Sequence, residues 1–448
     1  MTTDLQKSFK EQMDYDELMN CTRCGFCLPS CPTYINSGQN EASSPRGRIA
    51  LMKGVVEGRI EPDEKVEQQL NECLGCRACE PVCPSGVQYG HLLEQARTVI
   101  NEHKSYSLPV KMLRKATFNY LFMSSKRMHR VHQLRWLYEK TLAQKLVRAS
   151  KLLTLFPGEV ETMERVVPKT VPPKRLNEWE EVEKGFGKQT KRVAFFNGCL
   201  MGTMFYETNQ STRLLLKTAG CEIVTPKKQE CCGALHAHGG ETEKAIQLAK
   251  RNIEAFENLD VDAVISNAGG CGAGLKDYPF LLRKEADWEK RAKAFSDKVT
   301  DISTLLASLD LGPLELSDEV VTYQPSCHLE NVMKEKGNVE KLLRKVNGIE
   351  YVAMVDKDKC CGSAGIYNLV QPKMAMRILD QKMVDVAETN ASVIVTSNPG
   401  CLLQMKAGIE RERLTDSVRA VHIVDLLADA IRKRDSEEGD AHAVRNRH

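Results

Sequence analysis

The residues best suited to chemistry are cysteines, of which there are 17 among 448 residues. Eight of them stand in two runs of identical spacing. The first is Cys21, Cys24, Cys27 and Cys31; the second is Cys73, Cys76, Cys79 and Cys83. Each run ends in Cys-Pro, at Pro32 and Pro84. Three thiols two residues apart reach three irons of one cubane from a tight loop. The fourth, displaced by its proline, reaches a second cubane. The spacing therefore predicts two [4Fe–4S] clusters with crossed ligands. One takes Cys21, Cys24, Cys27 and Cys83, and the other takes Cys73, Cys76, Cys79 and Cys31. Structural zinc also uses paired cysteines, but a tetrahedral ion has no use for the third step or for the repeated Cys-Pro.

Eight further cysteines form an internal duplication. Cys199, the pair Cys231-Cys232 and Cys271 make one copy; Cys327, the pair Cys360-Cys361 and Cys401 make the other. Each pair is followed by glycine, and the gaps between corresponding cysteines agree to within one residue. A register kept over such a length marks a repeat. It gives these thiols a shared purpose that lone core cysteines would not have. They suit one or two further clusters, or one zinc per copy. Cys221 has no counterpart and reads as a core residue. His236, His238 and His328 lie near these cysteines in sequence and read as polar neighbours of a metal site.

The elements that must position these thiols follow from the pattern. Arg192 to Phe196 and Val320 to Tyr323 read as buried strands that run into the first cysteine of each copy. Asp262 to Ser266 and Ser392 to Thr396 read as second strands ahead of Cys271 and Cys401. Helical patterns cover Glu241 to Leu259 and Lys373 to Thr389. Alternating strands and helices predict βαβ units with parallel sheets, whose sites form beyond the carboxyl ends of strands. The expected fold is thus a multidomain α+β and α/β chain. Residues 1–100 form a helical ferredoxin-like 2[4Fe–4S] domain, and 101–190 a basic helical segment and linker. The two α/β repeats occupy 191–315 and 316–448, the second with a charged, frayed tail from Arg432. Within the basic segment, Lys104 to Lys151 holds one acidic residue, Glu139. Phe118, Leu121, Phe122, Leu134, Leu137 and Leu142 suggest amphipathic helices there. Glu159 to Gln189 reads as an extended linker.

Hydrophobic content of 42% and charged content of 27% are those of an ordinary globular chain. A net charge of +3 gives no reason to expect a nucleic-acid partner. The N-terminus reads as lacking a secretory signal, and no uncharged apolar run reaches the ~18 residues of a membrane span. The expected compartment is the reducing cytoplasm, where thiols stay available to metals.

Residues 20–60, with their Cys-Thr-Arg-Cys-Gly-Phe-Cys run and Ser44-Pro45-Arg46-Gly47-Arg48, closely resemble the iron–sulfur subunit of bacterial glycolate oxidase. The duplicated region resembles the CCG cysteine-rich domain, found also in heterodisulfide reductase, lactate-utilisation proteins and the anaerobic glycerol-3-phosphate dehydrogenase subunit. The resemblance implies an electron-transfer subunit of an oxidoreductase complex, with no catalytic residue on this chain. FAD-containing partner subunits would oxidise glycolate to glyoxylate. This chain would pass their electrons towards a quinone or other acceptor, peripheral on the inner face of the membrane through its complex. The alternatives are the lactate, glycerol-3-phosphate and heterodisulfide-reductase-like complexes or, in another class, a zinc-stabilised interaction protein. No G-x-G-x-x-G follows a strand here, so no dinucleotide site is expected. In heterodisulfide reductase the repeat ends in C-x-x-C; here Ala268 and Asn398 stand three positions before the last cysteine, leaving four cysteines per copy. Arg46 and Arg48 suit hydrogen bonds to cluster sulfurs, a partner contact or a solvated face.

Overall fold

The computed structural model describes residues 4–150 and 160–445, with side chains to Glu437. Lys151, Glu159 and the end of the tail lie outside the described residues. The N-terminal unit is built of short helices. Among them Pro45–Val56, Glu64–Asn71 and Tyr89–His103 enclose a core of Phe9, Leu18, Met52, Leu70, Leu92 and Val99. The Ser-Pro-Arg-Gly-Arg segment explains one helix start. The Ser44 hydroxyl accepts from Gly47 N at 2.9 Å, and Pro45 fills the first helical position, where its missing N–H costs nothing. Gly47 is needed for space, because a Cβ there would lie 1.9 Å from the Glu41 carbonyl oxygen.

The duplication is visible as two sheets. The first comprises β1 (Val182–Glu183), β2 (Lys191–Phe195), β3 (Cys221–Val224), β4 (Ala263–Ser266) and β5 (Val299–Asp301), in the order β1-β3-β2-β4-β5. The second comprises β6 (Leu314–Gln324), β7 (Val346–Tyr351), β8 (Val393–Thr396) and β9 (Arg419–His422), in the order β7-β6-β8-β9. All pairings are parallel except β1 with β3. Removing β1 leaves the same strand order in both copies. The expected strands and the helices Thr242–Phe256 and Pro372–Glu388 fall where the periodicity puts them. Cys221 is fully buried in β3, as a core residue should be. No helix among the described residues is long and apolar enough to cross a membrane.

Three expectations change. The linker is not simply extended. It contains the helices Val160–Val166 and Pro173–Asn177, which buries Leu176, and then β1, which pairs with the open edge of β3. Main-chain groups at a sheet edge gain partners by accepting even a two-residue strand. The charged tail is not frayed where it is described. It continues the Ile423–Arg445 helix, where Arg432 Nη2 donates to Ser211 Oγ at 3.2 Å and Arg434 Nη1 to the Leu311 carbonyl at 2.9 Å. The basic segment is helical but only half of its apolar residues turn inward. Phe118 is buried, whereas Leu134, Leu137 and Leu142 are exposed.

Candidate metal centres

Each cysteine run forms a loop in which the second and fourth residues after its first cysteine have left-handed backbones. In the first run these are Arg23 (φ 58°) and Gly25 (φ 90°); in the second, Gly75 (φ 67°) and Arg77 (φ 58°). Glycine and arginine exchange places while the backbone stays the same. A left-handed arginine costs on the order of 1 kcal/mol, and each loop carries one. Such winding turns amide N–H groups inward, towards negative charge. The Cys24 thiol is accordingly held below its usual range, first by the backbone N–H of Phe26.

Cys21, Cys24, Cys27 and Cys83 border one open-sided cavity, together with Cys79, Arg46, Ile49 and Tyr89. The last cysteine of the second run thus joins the first three of the first run, as crossing requires. The second group is deeper. Cys31, Cys73, Cys76 and Cys79 are all buried, whereas Cys24 is exposed. Burial raises the Cys76 and Cys79 thiols most; Cys73 adds to it in both, and Cys31 adds least.

Arg48 separates this pocket from an ordinary apolar core. It is fully buried, and no carboxylate pairs with it among the described residues. Its Nε donates to the Gln69 carbonyl at 2.6 Å and its Nη1 to Thr33 Oγ1 at 3.0 Å, while Nη2 has no partner. The groups that counter its charge are Cys73, Tyr89 and Cys31, which hold the guanidinium above its usual range against the opposing effect of burial. The Cys73 thiol responds in kind. Burial would raise it, but Arg48 and Arg97 leave it below its ordinary value. A buried guanidinium with no carboxylate beside it favours anionic sulfur at Cys73 and Cys31, and thiolate is the form in which cysteine binds iron. The donor set, the cavity and this orphaned donor fit iron–sulfur clusters. Thiolate ligands would hold them, and the clusters would supply one-electron storage. Of the readings open for Arg48, the structure excludes the solvated face. Arg46 instead pairs with Glu41 at 2.6 Å and donates to the Arg23 carbonyl at 3.0 Å on the cavity rim.

Each duplicated copy draws its four thiols together. In the first, Cys199 and Cys231 sulfurs are 3.4 Å apart, and Cys232 accepts hydrogen bonds from Cys231 and Cys271, which hold it well below its usual range. In the second, Cys327, Cys360, Cys361 and Cys401 adjoin one another in the same order. Among the described residues, no three His, Cys, Asp or Glu groups converge on the single point that one ion needs. The histidines stand beside these chains. His236 bonds the Phe118 carbonyl at 2.8 Å, and His238 bonds Glu94 at 2.8 Å. His328 Nδ1 lies 3.6 Å from the Cys327 sulfur. Burial, then His238 and Arg77, push His328 down to about 3, so it is neutral at pH 7.

The N-terminal unit docks on both copies through the second run. Arg77 is bound by Glu80 at 2.8 Å and by Asp277 of the first copy at 2.6 Å. The Cys76 carbonyl accepts from Asn331 of the second copy at 3.0 Å, and Tyr367 of that copy donates to the Glu72 carbonyl at 2.8 Å. Arg97 donates to the Cys73 carbonyl at 2.6 Å. The cysteine pattern carries no sign of Arg97, Tyr89 or Asn331, because tertiary packing alone brings them to the cysteine loops.

Two ferredoxin-type cysteine loops docked on a duplicated cysteine-rich α/β unit define an iron–sulfur electron-transfer protein. Comparison with known proteins agrees. A family described as "4Fe-4S dicluster domain" matches residues 17–87, and one described as "Cysteine-rich domain" matches 193–276 and 321–406. A third, "Glycolate oxidase iron-sulfur subunit, linker region", matches 109–167. The chain is 54% identical over 438 residues to the "Probable glycolate oxidase iron-sulfur subunit" of Bacillus subtilis, covering 96% of this chain and 99% of that one. It is 31% identical over 409 residues to the "Glycolate oxidase iron-sulfur subunit" of Escherichia coli, covering 90% and 94%. The "Lactate utilization protein A" of Oceanobacillus iheyensis is 32% identical over 239 residues, covering 53% of this chain and 96% of that protein. A solved structure of a hypothetical protein from Helicobacter pylori shares the fold at a TM-score of 0.50 and 8% identity, covering 95% of this chain and 76% of that one. This chain belongs to the glycolate oxidase iron–sulfur subunit family.

Proposed function

We propose that this chain carries electrons within a glycolate-oxidising complex, taking them from FAD-containing partner subunits and delivering them towards a quinone or other acceptor. Two [4Fe–4S] clusters sit in the N-terminal unit with the crossed ligands Cys21, Cys24, Cys27 and Cys83, and Cys73, Cys76, Cys79 and Cys31. The duplicated cysteines Cys199, Cys231, Cys232 and Cys271, and Cys327, Cys360, Cys361 and Cys401, hold further metal groups. The protein works in the cytoplasm, peripheral on the inner face of the membrane through its complex. Exposed leucines beside lysines and arginines in the basic segment suit contact within that complex.

The observation that carries this reading is Arg48, buried with sulfur as its counter-charge. Glycolate is favoured over lactate by the linker, since the family match at 109–167 lies outside what either cysteine region explains. The test is iron, acid-labile sulfide and zinc per chain on anaerobically purified protein, with EPR of the reduced sample. About eight irons or more, with two interacting cluster signals, is the expected result. Stoichiometric zinc with little iron would overturn the reading. Electron uptake from the partner flavoprotein in the presence of glycolate, and not of lactate, tests the substrate.

A further inference from the structure

The two duplicated sites are built alike except at one position. The helices Gly269–Lys276 and Pro399–Arg411 each start just beyond a strand, β4 or β8, and carry Cys271 and Cys401 at the third helical residue. The residue ahead of each helix is extended, Ala268 at φ −136° and Asn398 at φ −154°. An asparagine there ordinarily caps its own helix, but the Asn398 side chain makes no such bond. Its carbonyl oxygen instead accepts from Gly270 N at 3.0 Å, capping the helix of the other copy. The adjacent Gly269 N donates to the Ser397 carbonyl at 3.2 Å. That leaves the Asn398 amide nitrogen to donate to the Cys401 sulfur at 3.6 Å. Ala268, buried and bearing only a methyl, offers Cys271 nothing equivalent.

We propose that Asn398 makes the two duplicated sites electronically unequal, by giving the Cys401 sulfur an N–H donor that the Cys271 sulfur lacks. This rests on the reading that these cysteines hold iron–sulfur groups. A donor on a ligating sulfur disperses the charge added on reduction, so the group it serves is the easier to reduce. Asn398 is therefore a positioning residue with an electronic effect. Cys76 shares one apolar cluster with Cys360, Cys361 and Cys401, and Cys271 and Cys327 pack against it, so both duplicated sites adjoin the second run.

The test is an EPR-monitored redox titration of the full chain, with metal analysis, on the natural protein, Asn398→Asp and Asn398→Ala. Asn398→Asp keeps an oxygen to cap the Gly269–Lys276 helix and loses the N–H donor but adds a charge, so a downward shift supports the inference where the uncharged Asn398→Ala shows it too. The expected result is that both variants retain iron and show one midpoint potential moved downward. The midpoints of the two N-terminal clusters should stay in place. Retained iron with every midpoint unmoved in Asn398→Asp would overturn the inference alone. Natural protein with only the eight irons of the N-terminal pair, or with zinc in the second copy, would overturn the inference and the metal reading of these cysteines together. If Asn398→Ala loses iron through its lost cap, an unmoved midpoint in Asn398→Asp still overturns the inference.

Discussion

Replacing Arg48 by methionine tests the charge argument directly. Methionine fills much of the same space and removes a cation that no carboxylate neutralises. Thr33 Oγ1 lies 3.0 Å from Arg48 Nη1 and 3.2 Å from Cys31 Sγ. The guanidinium nitrogen and the sulfur are therefore no more than about 6 Å apart, where unit charges interact by about 3 kcal/mol at an effective dielectric of ~20. In a one-electron couple that is on the order of 100 mV. The group held by Cys31, Cys73, Cys76 and Cys79 should become harder to reduce by that order, because its reduced form loses a stabilising charge. The more exposed group at Cys21, Cys24, Cys27 and Cys83 should move much less. Arg48→Lys should recover part of the shift. The assay is a redox titration of reduced-cluster EPR intensity, with iron content confirming that both clusters remain. If Arg48→Met keeps its iron and neither midpoint moves, the sulfurs do not carry the charge inferred here.

Further outcomes follow from the same geometry. Cys31→Ser should abolish the cluster of the second run while leaving that of its own run, halving the N-terminal iron; loss of the first-run signal instead would refute the crossing. Gly47→Ala would place a methyl against the Glu41 carbonyl, at a cost of about 1–3 kcal/mol, and should lower both the melting temperature and the iron-to-protein ratio. Asp301 is fully buried, with one carboxylate oxygen bonded by Ser303 and the other unpartnered. Burial pushes it up to about 6. The folded state thus holds this proton more tightly than the unfolded one, so stability rises as pH falls from about 6 towards about 4 and is lowest above that window. Asp301→Asn should gain up to about 3 kcal/mol at pH 7.5 in urea unfolding. The gain should shrink below pH 5; a pH-independent difference would refute this origin.

The two cysteine loops were legible because six of their eight cysteines are spaced by two residues, where spacing alone determines reach. The proline that follows each fourth cysteine led to the expectation of crossing, and Cys83 does border the cavity of the first run. The repeat was legible because four cysteines keep register while the sequence between them drifts, and the strand order confirms that each copy is wound alike. Arg48 was only half legible. Ser-Pro-Arg-Gly-Arg announces a capped helix start, but which arginine turns inward depends on the rotation of that helix over Thr33 and Gln69. The two-residue β1 has no period to detect and exists because β3 leaves an edge to fill. Asn398 was noticed as a missing cysteine, while its use depends on a helix more than a hundred residues earlier in the chain.

The Ile423–Arg445 helix gives the duplication a history that cannot be undone. It belongs to the second copy, yet its residues Val424, Leu427 and Ile431 lie in one core with Val193, Leu215 and Ile265 of the first and Tyr323 and Val395 of the second. Thr208 of the first copy donates to Asp425 on this helix at 2.8 Å. Two halves that began as equivalents have therefore become parts of one indivisible body. A gene split near residue 313 would yield two fragments, each with an uncovered apolar face, and evolution can now change the two cysteine sites independently without ever separating them.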